Sequence, residues 1–420
     1  MTYSESVRYL YSLGNEVKAA KLGLERISTL LGQLGNPHRL RRAVHVAGTN
    51  GKGSTCAMIE SALRVRGLRT GLFTSPHLVE PTERIRISGR PIAPEQFASA
   101  FNTVHRAAED LLRDGLLELH PTYFETVTAM AFVVFRDMAI DAAVLEVGLG
   151  GRLDATNVVH PELAVITPVD FDHEAFLGRS LEAIASEKAG ILKPGVPAVF
   201  AAQRPEAEAT LSARAAELGI PVIRTRDWKT VDLELHARGC RFLARGKNNV
   251  RVDCPLAGEH QVENALTAVA ALAQMDVPAA AIEEGIRQVR WPGRLERVSA
   301  QPEIILDGAH NPAGARALVR YIQRFYGGRR VRLIYGAMRD KAIAEMTGIL
   351  FPAADEVIAT APAQSRAVLP ETIARLAGHP ALRIAPTLAD ALALVRDASP
   401  EDVIFITGSL FLVAEAKSLL

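Results

Sequence analysis

Short apolar runs alternate with amphipathic segments along most of the chain. Apolar residues recur at helical spacing over the first forty residues, and continuous apolar runs then follow at residues 43–47, 142–147 and 163–167, with helical patterns between them. Strands that are apolar on both faces are typical of a parallel sheet covered by helices on each side. The pattern therefore predicts an α/β fold with a doubly wound parallel sheet.

Two regions depart from this pattern. Residues 230–252 alternate between apolar and polar positions and contain Gly239, which predicts a small antiparallel patch. The pattern stops at residues 290–294 and then restarts as a further series of short strands and helices. We therefore predict two domains, residues 1–295 and residues 296–420, of which the second is a smaller, Rossmann-like α/β unit.

Composition and charge exclude several classes of protein. The 420-residue chain has a formal net charge of +1, so no basic excess marks a nucleic-acid-binding protein. Its three cysteines lack C-x-x-C spacing, which argues against a disulfide framework or a zinc site and fits a reducing cytoplasm. The polar first ten residues are unlike a signal peptide, and no apolar run is long enough to cross a bilayer. These observations predict a cytoplasmic protein that binds neither nucleic acids nor membranes.

A glycine-rich turn at residues 48–54 is the strongest local signal for chemistry. It lies where a strand leads into a helix, so backbone N–H groups and the helix N-terminus face any bound anion, and Lys52 adds a charge for the β- and γ-phosphates. The standard P-loop has glycine at the position of Val46 and a hydroxyl at that of Gly53. The match is therefore to a shorter phosphate loop, in which Ser54 carries the hydroxyl.

Polar side chains also follow two of the apolar runs. Glu146 ends the run at residues 142–147, and Asp172 and His173 come soon after the run at residues 163–167. Ligands and metals bind at the carboxyl edge of a parallel sheet, and Mg²⁺ bound with a nucleotide takes a few carboxylate, hydroxyl and water ligands. We therefore expect a magnesium ion near Glu146, with His173 as a candidate neighbour.

Together these segments resemble the Mur ligase superfamily, and within it folylpolyglutamate synthase and the bifunctional dihydrofolate synthase. The matching segments run in the family's order over almost the whole chain. They are residues 45–55, 74–78, 146–157, 170–173, 186–191, 258–264, 291–295, 307–312 and 407–410. The resemblance implies an ATP-dependent amide ligase that adds L-glutamate to the carboxylate of a folate or pteroate and releases ADP and phosphate.

The resemblance also implies roles for individual residues at the nucleotide. The implied ATP-binding residues are Gly51, Lys52, Gly53, Ser54, Asn264, Arg294 and Asp307. The implied magnesium ligands are Ser75, Glu146 and His173, together with Lys188, which corresponds to a lysine that the family carries as a metal-bridging carbamate. Lys52, Lys188 and His173 are the implied catalytic residues.

For the other substrates, the resemblance implies that His310 and Ser409 bind the incoming glutamate. The residues implied to line the pterin site are Leu22, Gly23, Leu24 and Glu25, then Thr122, Tyr123, Phe124 and Glu125, and finally Leu153, Asp154 and Ala155. The resemblance further implies a monomer.

The predicted reaction begins with transfer of the γ-phosphoryl group to the substrate carboxylate. The acyl phosphate so formed has a good leaving group, whereas a carboxylate has none, and Lys52 and Mg²⁺ would offset charge during the transfer. Attack by the amine of glutamate then gives the amide. Closure of two domains would exclude water from the acyl phosphate.

Several alternatives stay open at this point. The chain could be a folylpolyglutamate synthase alone, and the acceptor could be dihydropteroate, tetrahydrofolate or a longer polyglutamate. A peptidoglycan-precursor ligase normally begins with a uridine-nucleotide-binding domain, for which the roughly forty residues before the phosphate loop leave no room. A regulatory P-loop NTPase would give the second domain and residues 307–312 no role.

Overall fold

The computed structural model describes residues 1–13 and 23–420. Within these ranges, an eight-stranded sheet is followed along the chain by a three-stranded sheet and then by a six-stranded sheet. No helix in the described residues is both long enough and apolar enough to cross a membrane.

The eight-stranded sheet has the order β4-β3-β2-β5-β1-β6-β7-β8. Its strands are β1 (Ala43–Ala47), β2 (Thr70–Phe73), β3 (Ile85–Ile87), β4 (Arg90–Pro91), β5 (Ala142–Glu146), β6 (Leu163–Ile166), β7 (Ala198–Phe200) and β8 (Val222–Arg224). Pairing is parallel from β2 across to β8, whereas β3 and β4 add an antiparallel edge beside β2.

Helices cover both faces of this sheet. They are α1 (Tyr3–Ser12), α2 (Glu25–Gln33), α3 (Lys52–Val65), α4 (Pro94–Arg113), α5 (Tyr123–Asp137), α6 (Glu174–Leu177), α7 (Leu181–Ala189), α8 (Pro205–Glu217), α9 (His260–Gln274) and α10 (Ala279–Gln288). On β1, Val44 and Val46 pack into the core formed with α3, α9 and α10, whereas Ala43 packs into the core formed with α4 and α5. Successive side chains of a strand point to opposite faces, so one short apolar strand contributes to both cores.

The three-stranded sheet is antiparallel. It consists of β9 (Lys229–His236), β10 (Gly239–Arg245) and β11 (Asn249–Cys254). Phe242 and Val252 of this sheet are buried in the same core as α9 and α10.

The six-stranded sheet has the order β12-β13-β17-β14-β15-β16, and only its edge strand β12 is antiparallel. Its strands are β12 (Glu296–Ala300), β13 (Glu303–Leu306), β14 (Val331–Tyr335), β15 (Glu356–Ala359), β16 (Leu382–Ile384) and β17 (Val403–Thr407). The accompanying helices are α11 (Pro312–Tyr326), α12 (Ile343–Leu350), α13 (Pro370–Leu376), α14 (Leu388–Ala393) and α15 (Leu410–Leu419).

This architecture confirms the predicted fold class: a doubly wound, mainly parallel sheet, a small antiparallel patch and a second, Rossmann-like α/β unit. The elements without a prediction are β3, β4, β12, α6, α8 and α10. β3 and β4 have only three and two residues, with Arg86 and Arg90 among them, so no apolar run marks them. The six-stranded sheet begins at Glu296, next to the predicted domain boundary. The eight-stranded sheet is hereafter the first sheet, and the six-stranded sheet is the second sheet.

Candidate active site

Loops at the carboxyl edges of both large sheets line one cavity of about 800 Å³. From the first sheet come the loops after β1, β5 and β6, and from the second the loop after β13. Twelve of the sequence-predicted site residues line this cavity: Gly51, Lys52, Gly53, Ser54, Ser75, Glu146, His173, Lys188, Asn264, Arg294, Asp307 and His310.

The phosphate loop is held in shape by hydrogen bonds within the first sheet. Thr49 donates from its backbone to Pro168 O at 2.9 Å and from its hydroxyl to Asp170 O at 2.9 Å. Lys52 Nζ donates to the carbonyls of Gly48 and Thr49, both at 3.1 Å. The Lys52 ammonium group, which we predicted to bind a phosphate, therefore lies against the backbone of the phosphate loop itself.

Asn264 approaches the backbone of this loop from α9. Gly51 has a φ of +86°, and a Cβ atom there would overlap the Asn264 side chain, so only glycine fits. Asn264 Nδ2 donates to Gln261 Oε1 at 3.0 Å, and Gln261 Nε2 donates to Ser54 Oγ at 3.3 Å. Gln261 is a cavity residue to which the sequence analysis gave no role, although it lies inside a matched segment.

Glu146 and Ser75 lie side by side at the ends of β5 and β2. The backbone N–H of Ser75 donates to Glu146 Oε2 at 3.1 Å, the one hydrogen bond that this carboxylate accepts from the described chain. Glu146 is buried, and burial raises its pKa, against the opposing effect of the Lys52 charge. A buried carboxylate with so few donors would be stabilised by a cation.

Lys188 is almost fully buried beneath the phosphate loop. It comes from the last turn of α7, and its Nζ donates to Gly48 O at 2.9 Å. Burial, and after it the charge of Lys52, lowers the pKa of Lys188 to about 7. A sizeable share of the amine is therefore neutral near pH 7.

Arg294 and Asp307 meet where the chain enters the second sheet. Asp307 Oδ2 accepts from the backbone N–H of Leu295 and Oδ1 from that of Ala309, both at 3.0 Å. Burial raises the pKa of Asp307, whereas the charge of Arg294 lowers it. Asp307 thus fixes the segment that carries Arg294 against the end of β13.

Asp172 of the first sheet, whose side chain is 10% exposed, contacts three side chains of the second. Lys341 Nζ donates to Asp172 Oδ1 at 2.8 Å, Asn311 Nδ2 donates to Oδ2 at 3.3 Å, and His310 Nε2 lies 3.7 Å from Oδ2. Asn311 Nδ2 also donates to Asn50 Oδ1 in the phosphate loop at 3.0 Å. Asp172 therefore joins the two units at the cavity.

The electrostatics of Asp172 follow from these contacts. Burial alone would raise its pKa, but the contact with His310 and the charge of Lys341 outweigh burial and hold the pKa well below its ordinary value. Asp172, Asn311 and Lys341 receive no role from the sequence pattern or from the family resemblance. The available signal for Lys341 was a cation a few residues after the carboxyl end of a predicted strand, beside Arg339, and such a cation is too common to single out a residue.

His173 lines the cavity beside this contact. Its φ is +52°, and its Nε2 lies 3.5 Å from Lys341 Nζ. Burial lowers the pKa of His173 to about 4, against the raising effect of Asp172, so the imidazole is neutral near pH 7.

The predicted pterin segments lie outside the lining of the large cavity. Thr122 caps α5 and accepts from Glu125 N at 3.2 Å, while Glu125 pairs with Arg26 at 2.7 Å. Asp154 accepts from Gly148 N and Leu149 N, both at 2.9 Å, and so fixes a turn that does line the cavity.

The remaining predicted residues lie in four places within the described chain. Gly23 and Leu24 precede α2, which begins at Glu25, and Leu153 and Ala155 flank Asp154. Tyr123 stacks on Tyr11 at 5.8 Å, and Phe124 lies 5.9 Å from Phe73. Ser409 is buried, its hydroxyl accepts from Phe411 N at 3.1 Å as the cap of α15, and it does not line the cavity. Leu22 lies outside the described residues.

Comparison with known proteins gives family matches over both parts of the chain. The Mur ligase middle domain matches residues 46–272, and the Mur ligase glutamate ligase domain matches residues 293–410. Folylpolyglutamate synthase of Lacticaseibacillus casei is 36% identical over 100% of this chain and 99% of its own length. Dihydrofolate synthase/folylpolyglutamate synthase of Escherichia coli is 33% identical over 96% of this chain and 92% of its own length.

Solved structures of such proteins have the same fold. Mycobacterium tuberculosis folylpolyglutamate synthase complexed with ADP and AMPPCP superposes with a TM-score of 0.93 at 34% identity, covering 99% of this chain and 98% of that one. E. coli FolC in complex with DHPP and ADP superposes with a TM-score of 0.89 at 32% identity, covering 100% of this chain and 97% of that one. The chain therefore belongs to the Mur ligase family, among the folylpolyglutamate and dihydrofolate synthases.

Proposed function

We propose that this protein is an ATP-dependent ligase that adds L-glutamate to the carboxylate of a folate or pteroate. The observation that carries the proposal is the shared cavity, in which the phosphate loop of the first sheet faces residues 307–311 of the second. A ligation of three substrates requires an ATP-binding surface and a surface for a second substrate that face each other across one cavity. The names of the relatives in the preceding comparison support glutamate and a folate as the substrates.

The residues of the first sheet would prepare the acceptor carboxylate. The loop from Gly51 to Ser54 would bind the phosphates of ATP through backbone N–H groups, and Lys52 would exchange its two carbonyl partners for the β- and γ-phosphates. Transfer of the γ-phosphoryl group to the carboxylate gives an acyl phosphate and ADP. Asn264, Arg294 and Asp307 would contact the nucleotide from the side.

The residues of the second sheet would deliver glutamate. His310 would bind it at the cavity wall beside Asp172, which holds His310, Asn311 and Lys341 in place. We place Ser409 behind this wall as the cap of α15. The amine of glutamate attacks the acyl carbon, phosphate leaves and the amide forms, while closure of the cavity keeps water from the acyl phosphate.

The chain's own residues fit a magnesium ion. Glu146 is a buried carboxylate with one protein donor, Ser75 brings a hydroxyl next to it, and His173 offers a neutral imidazole. When bound, the ion would offset negative charge on the phosphates during transfer. Glu146, Ser75 and His173 would hold it.

Lys188 fits a carbamate. Only a neutral amine has the lone pair that attacks carbon dioxide, and the lowered pKa of Lys188 supplies that form near pH 7. The reaction forms an N–C bond and releases one proton, which leaves an anionic group beneath Gly48. A cation bound at Glu146 would compensate this buried negative charge.

The pterin would lie near residues 22–25, 122–125 and 153–155, of which Leu22 lies outside the described residues. The aromatic pair of Tyr11 and Tyr123 and the ring of Phe124 supply apolar faces there. We further propose a monomeric, cytoplasmic protein with units at residues 1–295 and 296–420.

Phosphate release tests the proposal. Purified protein is assayed with ATP, Mg²⁺ and glutamate, and with dihydropteroate, tetrahydrofolate or no pterin. We expect release only when glutamate and a pterin are both present, with a product one glutamyl residue heavier. Release without a pterin, or with another amino acid in place of glutamate, would overturn the substrate assignment. Activity with tetrahydrofolate alone would identify a folylpolyglutamate synthase without dihydrofolate synthase activity.

A further inference from the structure

A second cluster of metal-ligand side chains lies apart from the catalytic cavity, between α4 and the start of α5. His105 and Glu109 are four residues apart on α4 and share one face of the helix. His120 comes from the connection that leads into α5. One donor atom from each of the three lies within 4.8 Å of the others, and none of the three residues lines the catalytic cavity.

The donor atoms lie too far apart to hydrogen-bond to one another, but at nearly the spacing of ligands around a metal ion. Glu109 Oε1 lies 3.8 Å from His105 Nδ1 and 3.7 Å from His120 Nε2, which is too far for a hydrogen bond. Around a tetrahedral zinc ion, neighbouring nitrogen and oxygen ligands are about 3.3 Å apart. A small inward shift of the carboxylate would therefore close the coordination.

Both facing nitrogens are also buried without a partner. His105 Nδ1 and His120 Nε2 accept or donate no hydrogen bond within the part of the chain that the structure describes. Buried polar atoms are normally satisfied by protein or by water, so two orphaned nitrogens aimed at one carboxylate indicate a missing common partner.

A hydrogen bond fixes His120 in the tautomer that can bind a metal ion through Nε2. Its Nδ1 lies 2.8 Å from Pro121 O. A carbonyl oxygen can only accept, so Nδ1 carries the hydrogen and Nε2 presents its lone pair toward Glu109. A backbone carbonyl bound to the other ring nitrogen is the usual outer partner of a metal-ligating histidine.

The neighbouring residues cover the three-residue cluster except on the side of Glu109. The ring of Tyr9 packs 4.6 Å from the ring of His105 and 5.8 Å from that of His120, and so covers the cluster from α1. The side chain of Glu109 is 51% exposed, whereas those of the two histidines are less than 20% exposed. A metal ion could enter past Glu109 and keep a water molecule as its fourth ligand.

We propose that His105, Glu109 and His120 form a binding site for a divalent transition metal of the zinc type. Two imidazoles and one carboxylate suit zinc and disfavour magnesium and calcium, which prefer oxygen ligands. Bound metal would tie the connection before α5 to α4, two residues ahead of Thr122, the cap of α5. This site differs in ligands and place from the magnesium site of the proposed ligase and does not depend on that function.

Zinc binding by the tag-free protein tests the site. Zinc is titrated against a chromophoric chelator in the presence of excess Mg²⁺ and ADP, which occupy the catalytic cavity. We expect one zinc ion per wild-type chain, and a loss of affinity of about 100-fold or more in His105→Gln and His120→Gln, because each removes a direct ligand. The half-exposed Glu109→Gln, which removes no buried packing, should weaken zinc binding about tenfold.

Two controls assign the site. His160→Gln changes an exposed histidine and His173→Gln changes a histidine of the catalytic cavity, and both should bind zinc as the wild type does. Retained ADP binding shows that the His105, Glu109, His120 and His160 variants are folded, and an unchanged far-UV circular dichroism spectrum shows it for His173→Gln. Absence of zinc binding by the wild type, equal binding by the His105, Glu109 and His120 variants, or loss only in His173→Gln would each overturn the proposal.

Discussion

The loop after β1 and the loops of the second sheet line the same cavity but are held in different ways. The first is fixed within its own unit, through Thr49 to the β6 loop and through Lys52 and Lys188 to the carbonyl of Gly48. The second reaches the first sheet through side chains that gather at Asp172. The ATP side is therefore preorganised, whereas the glutamate side depends on how the two units meet.

The largest expected effect comes from removing the charge of the preorganised loop. Lys52→Ala should lower kcat by about a thousand-fold or more, because a positioned charge at the transferring phosphoryl group is lost. Glutamate-dependent phosphate release measures it. Lys229→Ala, an exposed lysine of β9, is the matched control and should retain full activity. Normal turnover by a folded Lys52→Ala protein would remove the phosphate-loop assignment.

A smaller but selective effect is expected where the units meet. Asp172→Asn keeps the shape of the side chain but breaks its largely shielded ion pair with Lys341, so the glutamate KM should rise about 10- to 100-fold while the Kd for ADP changes little. Steady-state kinetics and nucleotide titration measure the two quantities.

The neighbouring Asp340 supplies the control for this prediction. It lies 3.9 Å from the same lysine and is far more exposed, so Asp340→Asn should have little effect. If Asp172→Asn weakened ADP binding as much as glutamate binding, the two sides of the cavity would not be held independently.

A third prediction concerns the pterin segments, which lie apart from the phosphate loop and from the cavity loops of the second sheet. Phe124→Ala should raise the pterin KM about tenfold, because a ring that contributes stacking and apolar contact is lost. The KM values for ATP and glutamate should stay near those of the wild type. Leu116→Ala removes an exposed apolar side chain of the same region and serves as the control. An unchanged pterin KM would place the pterin elsewhere.

The last prediction concerns stability rather than catalysis and tests how rigidly the strand beneath the phosphate loop is packed. His45 is buried on β1, and burial lowers its pKa to about 3, below the unfolded value of about 6.5. Below pH 6.5 the unfolded chain therefore takes up a proton that the folded chain refuses, and stability falls by about 1.4 kcal/mol per pH unit down to about pH 3.

Denaturant unfolding at several pH values measures this slope. His45→Gln should reduce it by that amount, whereas His160→Gln, which changes an exposed side chain, should leave it unchanged. An unaltered slope in His45→Gln would show that β1 admits water or a proton at this position.

The sequence predicted the strands whose burial is continuous and missed those whose signal is short or polar. Runs such as that of β5 are buried on both faces, so their apolar pattern survives in the sequence. β4 has two exposed residues and β12 is largely exposed, so pairing with a neighbouring strand, rather than burial, defines them. Such pairing depends on where distant segments meet.

The site shows the same limit. Gly51 and Lys52 could be identified because strand, turn and helix are contiguous in sequence. Asp172 and Lys341 are 169 residues apart, and although Asp172 lies in the matched segment 170–173, no pattern links it to Lys341, so their contact follows only from the placement of two sheets. Asp154 lies in a recognised segment, but its hydrogen bonds to the 148–149 turn indicate that it acts by positioning that turn.

Transfer of a labelled oxygen tests the central claim most directly. The acceptor pterin is prepared with heavy oxygen in its reacting carboxylate, and the phosphate released during a single turnover with ATP and glutamate is analysed by mass spectrometry. An acyl phosphate requires that one labelled oxygen leave with the phosphate, and this is the result we predict. Unlabelled phosphate would show that water attacks ATP, and it would contradict the ligase assignment.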